Sequence, residues 1–352
     1  MSKFLPILIL GGIVVFGVIL FFNFSKKMPS GENEKAKEKA EDSENNIPEA
    51  PEPLINLVAV GDIMLSRNVG RKMAENKDYQ YPFLATKDFL QRADLVFGNL
   101  ESPLLSGPPV ENSSMIFRAD PECALALAAV GFDVLSLANN HIMNQGPKGL
   151  LNTLVLLTEA GIKTAGAGTE KAKAHWPAII EKNGLTIAFL AYAYPGNIEA
   201  KDNAPGAAIM NISDLEQDLK EAKNLADLVI VSMHAGTEYS REPNQRQIDF
   251  GRAAIDSGAD LVIGHHPHWI QKVEKYKDKY ILYSLGNFVF DQTWSKETGE
   301  GMAASIYLNR EGVKNIEFFP VQIFDSSQPR FAEGSEKDRI LKMLKLDSIK
   351  QP

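Results

Sequence analysis

Five of the six histidines in this 352-residue chain fall in three groups: His141, His234, and His265 with His266 and His268. Each group closes a run of aliphatic and β-branched residues. Acids and amides close the neighbouring runs, with Asp62 after LVAVG, Asn99 and Glu101 after DLVFG, and Asn139 and Asn140 just ahead of His141. Imidazole, carboxylate and amide oxygen form a borderline-to-hard donor set suited to Mn, Zn or Fe. The single cysteine, Cys123, excludes a thiolate zinc site and an internal disulfide. Taken singly, Asp62 reads as a helix cap, Glu101 as a surface carboxylate and His234 as a core histidine. Taken together, so many titratable groups at strand ends are costly to bury unless a metal or ligand meets them. A centre of one or two divalent ions is the expectation.

The elements that must position these groups are legible in the same runs. INLVAVGDIML, ADLVFGNLE, FDVLSLANNH, TIAFLAY, ADLVIVSMH and ADLVIGHHPH have the short, continuous apolar texture of buried parallel strands. Between them, Pro147–Ala160 (apolar Leu150, Leu151, Leu154 and Leu157), Asp214–Ala226 and Asn244–Ser257 carry the 3.6-residue period of helices. This alternation predicts an α/β fold, in which the carboxyl ends of the strands converge on one crevice where ligands bind. After His268 the texture becomes strand upon strand, and an antiparallel sheet is expected to complete a domain spanning 54–325. Residues 326–352 read as a polar tail with a short helix around Ile340 to Leu346.

Ahead of the domain, Phe4 to Ser25 are 22 uncharged residues, about 33 Å as a helix at roughly 1.5 Å per residue. No A-x-A cleavage pattern follows, so 1–27 is expected to be a single-pass, uncleaved membrane anchor. Lys3 on one side faces Lys26 and Lys27 on the other, and this balance leaves its orientation open. Residues 28–53 hold eight acids and three lysines with almost nothing apolar, the composition of a flexible charged tether. A net charge of −8 with no basic cluster beyond the anchor flank argues against a nucleic-acid partner.

In order and spacing, GDIM (61–64), GNLE (98–101), NNH (139–141), HAGTEY (234–239), GHHPH (264–268) and SLGNFVFDQ (284–292) resemble the CapA family of poly-γ-glutamate capsule proteins, over residues 54 to about 325. That family is similar in turn to calcineurin-like metallophosphoesterases. The resemblance implies a four-layer αββα sandwich with metals at the strand ends and an anchored domain facing outward from the cell membrane. It also implies an anionic polymer as partner, with other membrane subunits of a capsule-synthesis complex. Carried over by position, Asp62, Glu101, Asn140, His234, His266 and His268 are the metal ligands, and His141, beside Asn140, is the acid that protonates a leaving oxygen. Asn99, Asn139, Asn144, His265 and Asn287 fall in the surrounding shell. Arg67 and Arg118 carry forks able to hold a phosphate or carboxylate, and Glu238 is placed to reach the same crevice as a further acid. Two departures stand out. The phosphoesterase D-x-H reads Asp62-Ile63-Met64, and the expected NNHxxDxG reads NNHIMNQG, which puts neutral Asn144 where an Asp would raise the imidazole pKa. Three functions are compatible with this reading: a metal-dependent hydrolase, an accessory module for an anionic γ-glutamyl polymer, and an envelope protein of this fold serving another polymer.

Overall fold

Four of the aliphatic runs open on an aspartate, and the computed structural model, which describes residues 54–345, gives the reason. Each aspartate clasps one residue of the neighbouring parallel strand twice, once by backbone and once by side chain. Asp94 donates its N–H to the Asn56 carbonyl (3.0 Å) and accepts the Asn56 N–H on Oδ2 (2.9 Å). Asp133 treats Val96 in the same way (3.0 and 2.8 Å), as do Asp227 with Thr186 (2.9 and 2.9 Å) and Asp260 with Val229 (2.7 and 2.9 Å). A one-residue slip would lose both bonds and turn every side chain to the opposite face, so these aspartates fix the register that aims the strand ends.

Two sheets result. The first has the order Gln328–Phe331, Gly312–Phe324, Glu300–Asn309, Ile55–Ile63, Leu95–Leu100, Val134–Ser136, Lys163–Ala165, with Asn287–Val289 also paired to Ile55–Ile63. The second runs Val273–Tyr276, Lys279–Leu282, Leu261–His265, Leu228–His234, Leu185–Ala193, Ala178–Lys182. A small pair, Ala167–Gly168 with Gly206–Ala207, lies apart from both. Alternation along Leu185–Ala193 divides its side chains between two clusters. Ile187, Phe189 and Ala191 join the cluster shared with the first sheet, and Phe97 of that sheet stacks on Phe189 at 5.4 Å. Ala188, Leu190 and Tyr192 face the other way, onto Leu215 and Leu219 of helix Ile212–Ala222 and Phe250 and Ala254 of helix Gln245–Asp256. Helices Cys123–Val130 and Gly146–Glu159 contribute Leu127, Val130, Leu150 and Leu157 to the larger cluster.

Two expectations change. The strands after His268 do not make a sheet of their own. Val273–Tyr276 and Lys279–Leu282 extend the second sheet, while Asn287–Val289, Glu300–Asn309 and Gly312–Phe324 extend the first. Nor does the fold stop at 325. Gln328–Phe331 pairs with Gly312–Phe324, and helix Gly334–Leu341 with the 3-10 turn Lys342–Leu344 buries Ile340 and Leu344, whose spacing makes one apolar face. The expected anchor and tether lie outside the described residues. Among the described residues, no helix is long and apolar enough to cross a membrane.

The clasps give a first testable outcome. Asp260 is buried and also meets Lys279 at 2.7 Å, whereas Asp227 is exposed. Asp260→Ala should cost about 1.5–3 kcal/mol, because it strips a charged acceptor from a buried N–H, and Asp227→Ala about 1 kcal/mol or less. Urea unfolding midpoints decide this, and equal losses in the two variants would remove the register argument.

Candidate metal centre

Asp62 sits where three strands meet. It lies near the end of Ile55–Ile63, pairs with Asn99 on one side and Asn287 on the other, and occupies the point where the register shifts on both sides. The irregularity turns its carboxylate toward the second sheet, where His265 Nδ1 lies 3.1 Å from Oδ1 and the His266 backbone N–H donates to Oδ2 at 3.1 Å. From the neighbouring strand, Asn99 Nδ2 donates to Asp62 Oδ1 (2.9 Å) and Glu101 Oε1 (3.3 Å), and lies 3.2 Å from His234 Nδ1. Asn99 is held in turn by Asn139, which donates to its side-chain oxygen (3.2 Å) and to the Leu100 carbonyl (2.7 Å).

Among the described residues two groups of ligand-type atoms emerge, with the atoms of each within 4.8 Å of one another. Asp62, Glu101 and His234 form the first, fully buried; Glu238, His266 and His268 form the second, partly buried. The groups adjoin: the His234 and His266 rings are 4.7 Å apart, and His268 Nδ1 lies 3.5 Å from Asp62 Oδ2. Asn140, exposed at the edge, puts Oδ1 2.9 Å from His234 Nε2. Glu238, expected in this crevice as a further acid, stands among the ligand-type atoms, because the tight HAGTEY turn carries it back over the 265–268 loop; Tyr239 N–H donates to the Pro267 carbonyl at 2.8 Å. His265 lies behind Asp62 and is fully buried.

Backbone geometry shows what holding these atoms costs. Arg67, Tyr239, His266 and His268 all have positive φ (51°, 61°, 96° and 57°). Non-glycine residues rarely adopt this region, and each such residue stores of order 1–3 kcal/mol that the surroundings must offset.

The donor chemistry fits a divalent cation. Among the described residues, Glu101 Oε2 and His266 Nδ1 are buried without a hydrogen-bond partner, an expensive condition for polar atoms that a cation would relieve. Burial raises the Glu101 carboxyl well above its usual range, and the negative charges of Asp62 and Glu238 add to the effect. Burial opposes ionisation of Asp62 too, but the hydrogen bond and charge of His265 and the charge of His268 bring its pKa below the ordinary value. Burial, then the neighbouring imidazoles, holds His234 well below its usual pKa, and burial followed by His268 takes His266 to about 4. Neutral imidazoles beside carboxylates are what metal ligation requires. Met64, at the position of the absent histidine, is buried with its sulfur accepting from Ser66 N–H (3.1 Å), outside both groups.

His141 flanks the cluster. Its Nδ1 lies 2.9 Å from Asn144 Oδ1, an oxygen that also accepts the Phe117 N–H (2.7 Å), and the Phe117 ring stacks on the imidazole at 4.0 Å. Since that oxygen is an acceptor, Nδ1 carries the proton and Nε2 the lone pair. Burial lowers the pKa to about 4 against the opposing Asn144 hydrogen bond. With its pKa lowered in this way, the ring would have to receive a proton at Nε2 before it could donate one. On the other flank, Asn287 Oδ1 lies 2.9 Å from His268 Nδ1 while its amide nitrogen donates to the Thr298 carbonyl (2.9 Å), which orients the imidazole.

The two arginines part company. Arg67 pairs with Asp291, which also accepts the Asn68 N–H (3.1 Å), and its guanidinium lies 4.8 Å from the Phe117 ring centroid. Arg118 is committed to its own loop, donating to the Leu105 and Pro108 carbonyls (both 2.6 Å) and to Asp120 (2.8 Å). Its terminal nitrogens therefore shape a wall of the crevice. The sequence reading passed over Asp291 and Gln292, which donates to the Tyr239 hydroxyl oxygen at 3.2 Å. Their signal was the polar close of the SLGNFVFDQ run.

Comparison with known proteins adds a second line of findings. The profile of a family described as "Bacterial capsule synthesis protein PGA_cap" matches residues 56–292. The "Capsule biosynthesis protein CapA" of Bacillus anthracis is 32% identical over 306 residues, covering 84% of this chain and 74% of that protein. The "PGA biosynthesis protein CapA" of Bacillus subtilis (strain 168) is 34% identical over 295 residues, covering 82% and 77%. A "Probable polyglutamine synthesis accessory protein" of Mycobacterium tuberculosis is 28% identical over 249 residues, covering 66% of each.

Proposed function

The chain belongs to the bacterial capsule synthesis protein family, and from that membership we propose that it acts at the cell envelope in the synthesis, export or anchoring of an anionic polymer such as poly-γ-glutamate. We read its two sheets and flanking helices as a metallophosphoesterase-like αββα sandwich, tethered by 1–27 as a single-pass anchor with the domain outside the cytoplasm. Its partners in this reading are the membrane, the polymer and other membrane subunits of a capsule complex.

One observation carries the proposal: a buried and a partly buried carboxylate–imidazole group adjoin at Asp62, and among the described residues Glu101 Oε2 and His266 Nδ1 lack partners there. Asp62, Glu101, His234 and Asn140 would hold one divalent ion, of Mn, Zn or Fe type, and Glu238, His266 and His268 a second. When bound, such an ion supplies Lewis acidity. Asn99 and His265 hold Asp62 in place, Asn287 holds His268, and Arg67 adds a fixed positive charge beside the cluster.

A hydrolase is the second reading, favoured by His141, whose tether to Asn144 and stacking on Phe117 orient an unprotonated Nε2 beside the centre. It would accept a proton from an attacking water and return it to the leaving oxygen.

One experiment addresses both readings. In Bacillus subtilis, this chain replacing the CapA relative should restore γ-glutamyl polymer at the cell surface, and His234→Ala should not. Polymer restored equally by His234→Ala would remove the metal from the function. If His141→Ala also fails, and the purified full chain cleaves a generic phosphodiester with added Mn only when His141 is present, the hydrolase reading prevails.

A further inference from the structure

Beside the metal centre, helix Arg67–Asn76 and the loop 107–110 enclose a cavity of about 150 Å³ lined by Arg67, Arg71 and Arg118. That is room for about five water-sized groups. Three guanidinium groups around one small cavity call for explanation in a chain of net charge −8. Two of the charges are matched, Arg67 by Asp291 and Arg118 by Asp120. Arg71 meets only amide oxygens, Asn68 Oδ1 at 2.9 Å and Asn112 Oδ1 at 2.6 Å. One positive charge is therefore uncompensated among the described residues.

A second observation also points to a ligand. Arg67 and Arg118 are each only 8% exposed, yet the Nε of each is buried with no hydrogen-bond partner among the described residues. Gly107 lets its loop pack closely on Arg118, since a Cβ there would lie 3.1 Å from that Nε. Leu65, Ala74, Pro109 and Val110 give the cavity an apolar wall, while Ser66 and Asp120, the partner of Arg118, complete its polar side.

We infer that this cavity is a carboxylate subsite for a γ-glutamyl chain, seating one free α-carboxylate against the arginines and the adjoining backbone methylenes against the apolar wall. The inference rests on the reading of the substrate as an anionic γ-glutamyl polymer. A carboxylate matches the single surplus charge, whereas a phosphate dianion would exceed it and find little use for the apolar wall. Arg67 joins the subsite to the centre: its guanidinium lies over Phe117, and Phe117 stacks on His141. A chain anchored here would present its next linkage to the metal-side residues.

The test is binding to the full chain in detergent, by calorimetry, of a γ-linked glutamate tetramer, the same tetramer with its α-carboxylates amidated, and inorganic phosphate, with metal content measured in parallel. The tetramer should bind, and amidation should weaken binding at least about tenfold. Arg71→Gln, which removes the unmatched charge, and Val110→Trp, which fills the cavity, should each cost about tenfold with metal content unchanged. Wild-type affinity in both variants, no tetramer binding by the wild type, or tighter binding of phosphate than of tetramer would each overturn the carboxylate subsite. His234→Ala separates the two claims. If it loses metal but still binds tetramer with the same dependence on Arg71, the subsite stands whatever becomes of the metal reading. If metal content is full and no tetramer binds, the subsite alone falls.

Discussion

Replacing His234, His266 or His268 by alanine, one at a time, should reduce the metal retained by the purified chain at least about 10 to 100-fold in affinity, the loss typical even of residues behind the ligands. His175→Ala should retain it in full. The control suits the purpose because His175 is not idle. Its Nδ1 lies 2.7 Å from Asp218 Oδ2, which also accepts from the Tyr192 hydroxyl at 2.7 Å, at the junction of helices Lys171–His175 and Ile212–Ala222. Removing it costs packing on the helix-covered face of the second sheet and leaves Asp218 still bonded to Tyr192. The four variants therefore share some loss of stability, and only the three strand-end histidines should lose metal. The division into two groups adds a finer expectation: His234→Ala depletes one ion, and His266→Ala or His268→Ala the other. Chelation should lower the Tm of the wild type and of His175→Ala by removing a ligand that binds only the folded state, worth about 2.7 kcal/mol at one hundred times Kd. Elemental analysis with paired melting curves makes the measurement. Equal metal content and equal chelation shifts across all four variants would show that the strand-end histidines are not ligands.

What could be read in advance follows from where the physical signal lies. The strands carrying Asp62, Asn99, His234 and His265 announce themselves, because burial on both faces demands continuous apolar runs, and the aspartates that open the last three recur because each clasps its neighbour. Lys163–Ala165 and Ala178–Lys182 pass unnoticed, being short or half-exposed and specified by their partners more than by their own residues. The strands after His268 are visible as strands but not in their allegiance, since pairing across sheets is a property of the whole fold. At the site, residue type identifies Asp62, Glu101 and the histidines. Chain direction decides the rest. The turn at Tyr239 brings Glu238 to His266 and His268, and the 105–108 carbonyls take up Arg118, neither of which leaves a local mark.

The glycines of the site motifs have a reading independent of chemistry, and it gives the second large effect. Gly61 of GDIM and Gly264 of GHHPH stand where backbones nearly touch. A Cβ at Gly61 would lie 2.1 Å from the Gly286 carbonyl oxygen, and one at Gly264 would lie 2.0 Å from the Tyr283 carbonyl oxygen and 2.9 Å from that of Leu282. Neither neighbour is a flexible side chain that could yield. Around Gly264, the strands Leu261–His265 and Lys279–Leu282 are in parallel register, so relief requires the strands to part. Overpacking of side chains typically costs about 1–3 kcal/mol, and with backbone on the opposing side Gly264→Ala should cost about 3 kcal/mol or more, a large share of a typical domain's stability. Strand displacement there also moves His265 and His266 from Asp62, so metal should be lost from whatever fraction still folds. Gly196 is the matched control: it is exposed, its backbone is not in the left-handed region, and a Cβ meets nothing within 4 Å. Gly196→Ala should be neutral or stabilising by about 0.4–1 kcal/mol through the unfolded chain. Urea unfolding of both variants, with metal content of the folded fraction, makes the comparison. If Gly264→Ala unfolds at the same urea concentration as Gly196→Ala and keeps its metal, the backbones do not approach as closely as this register requires, and the placement of the 265–268 loop against Asp62 falls with them.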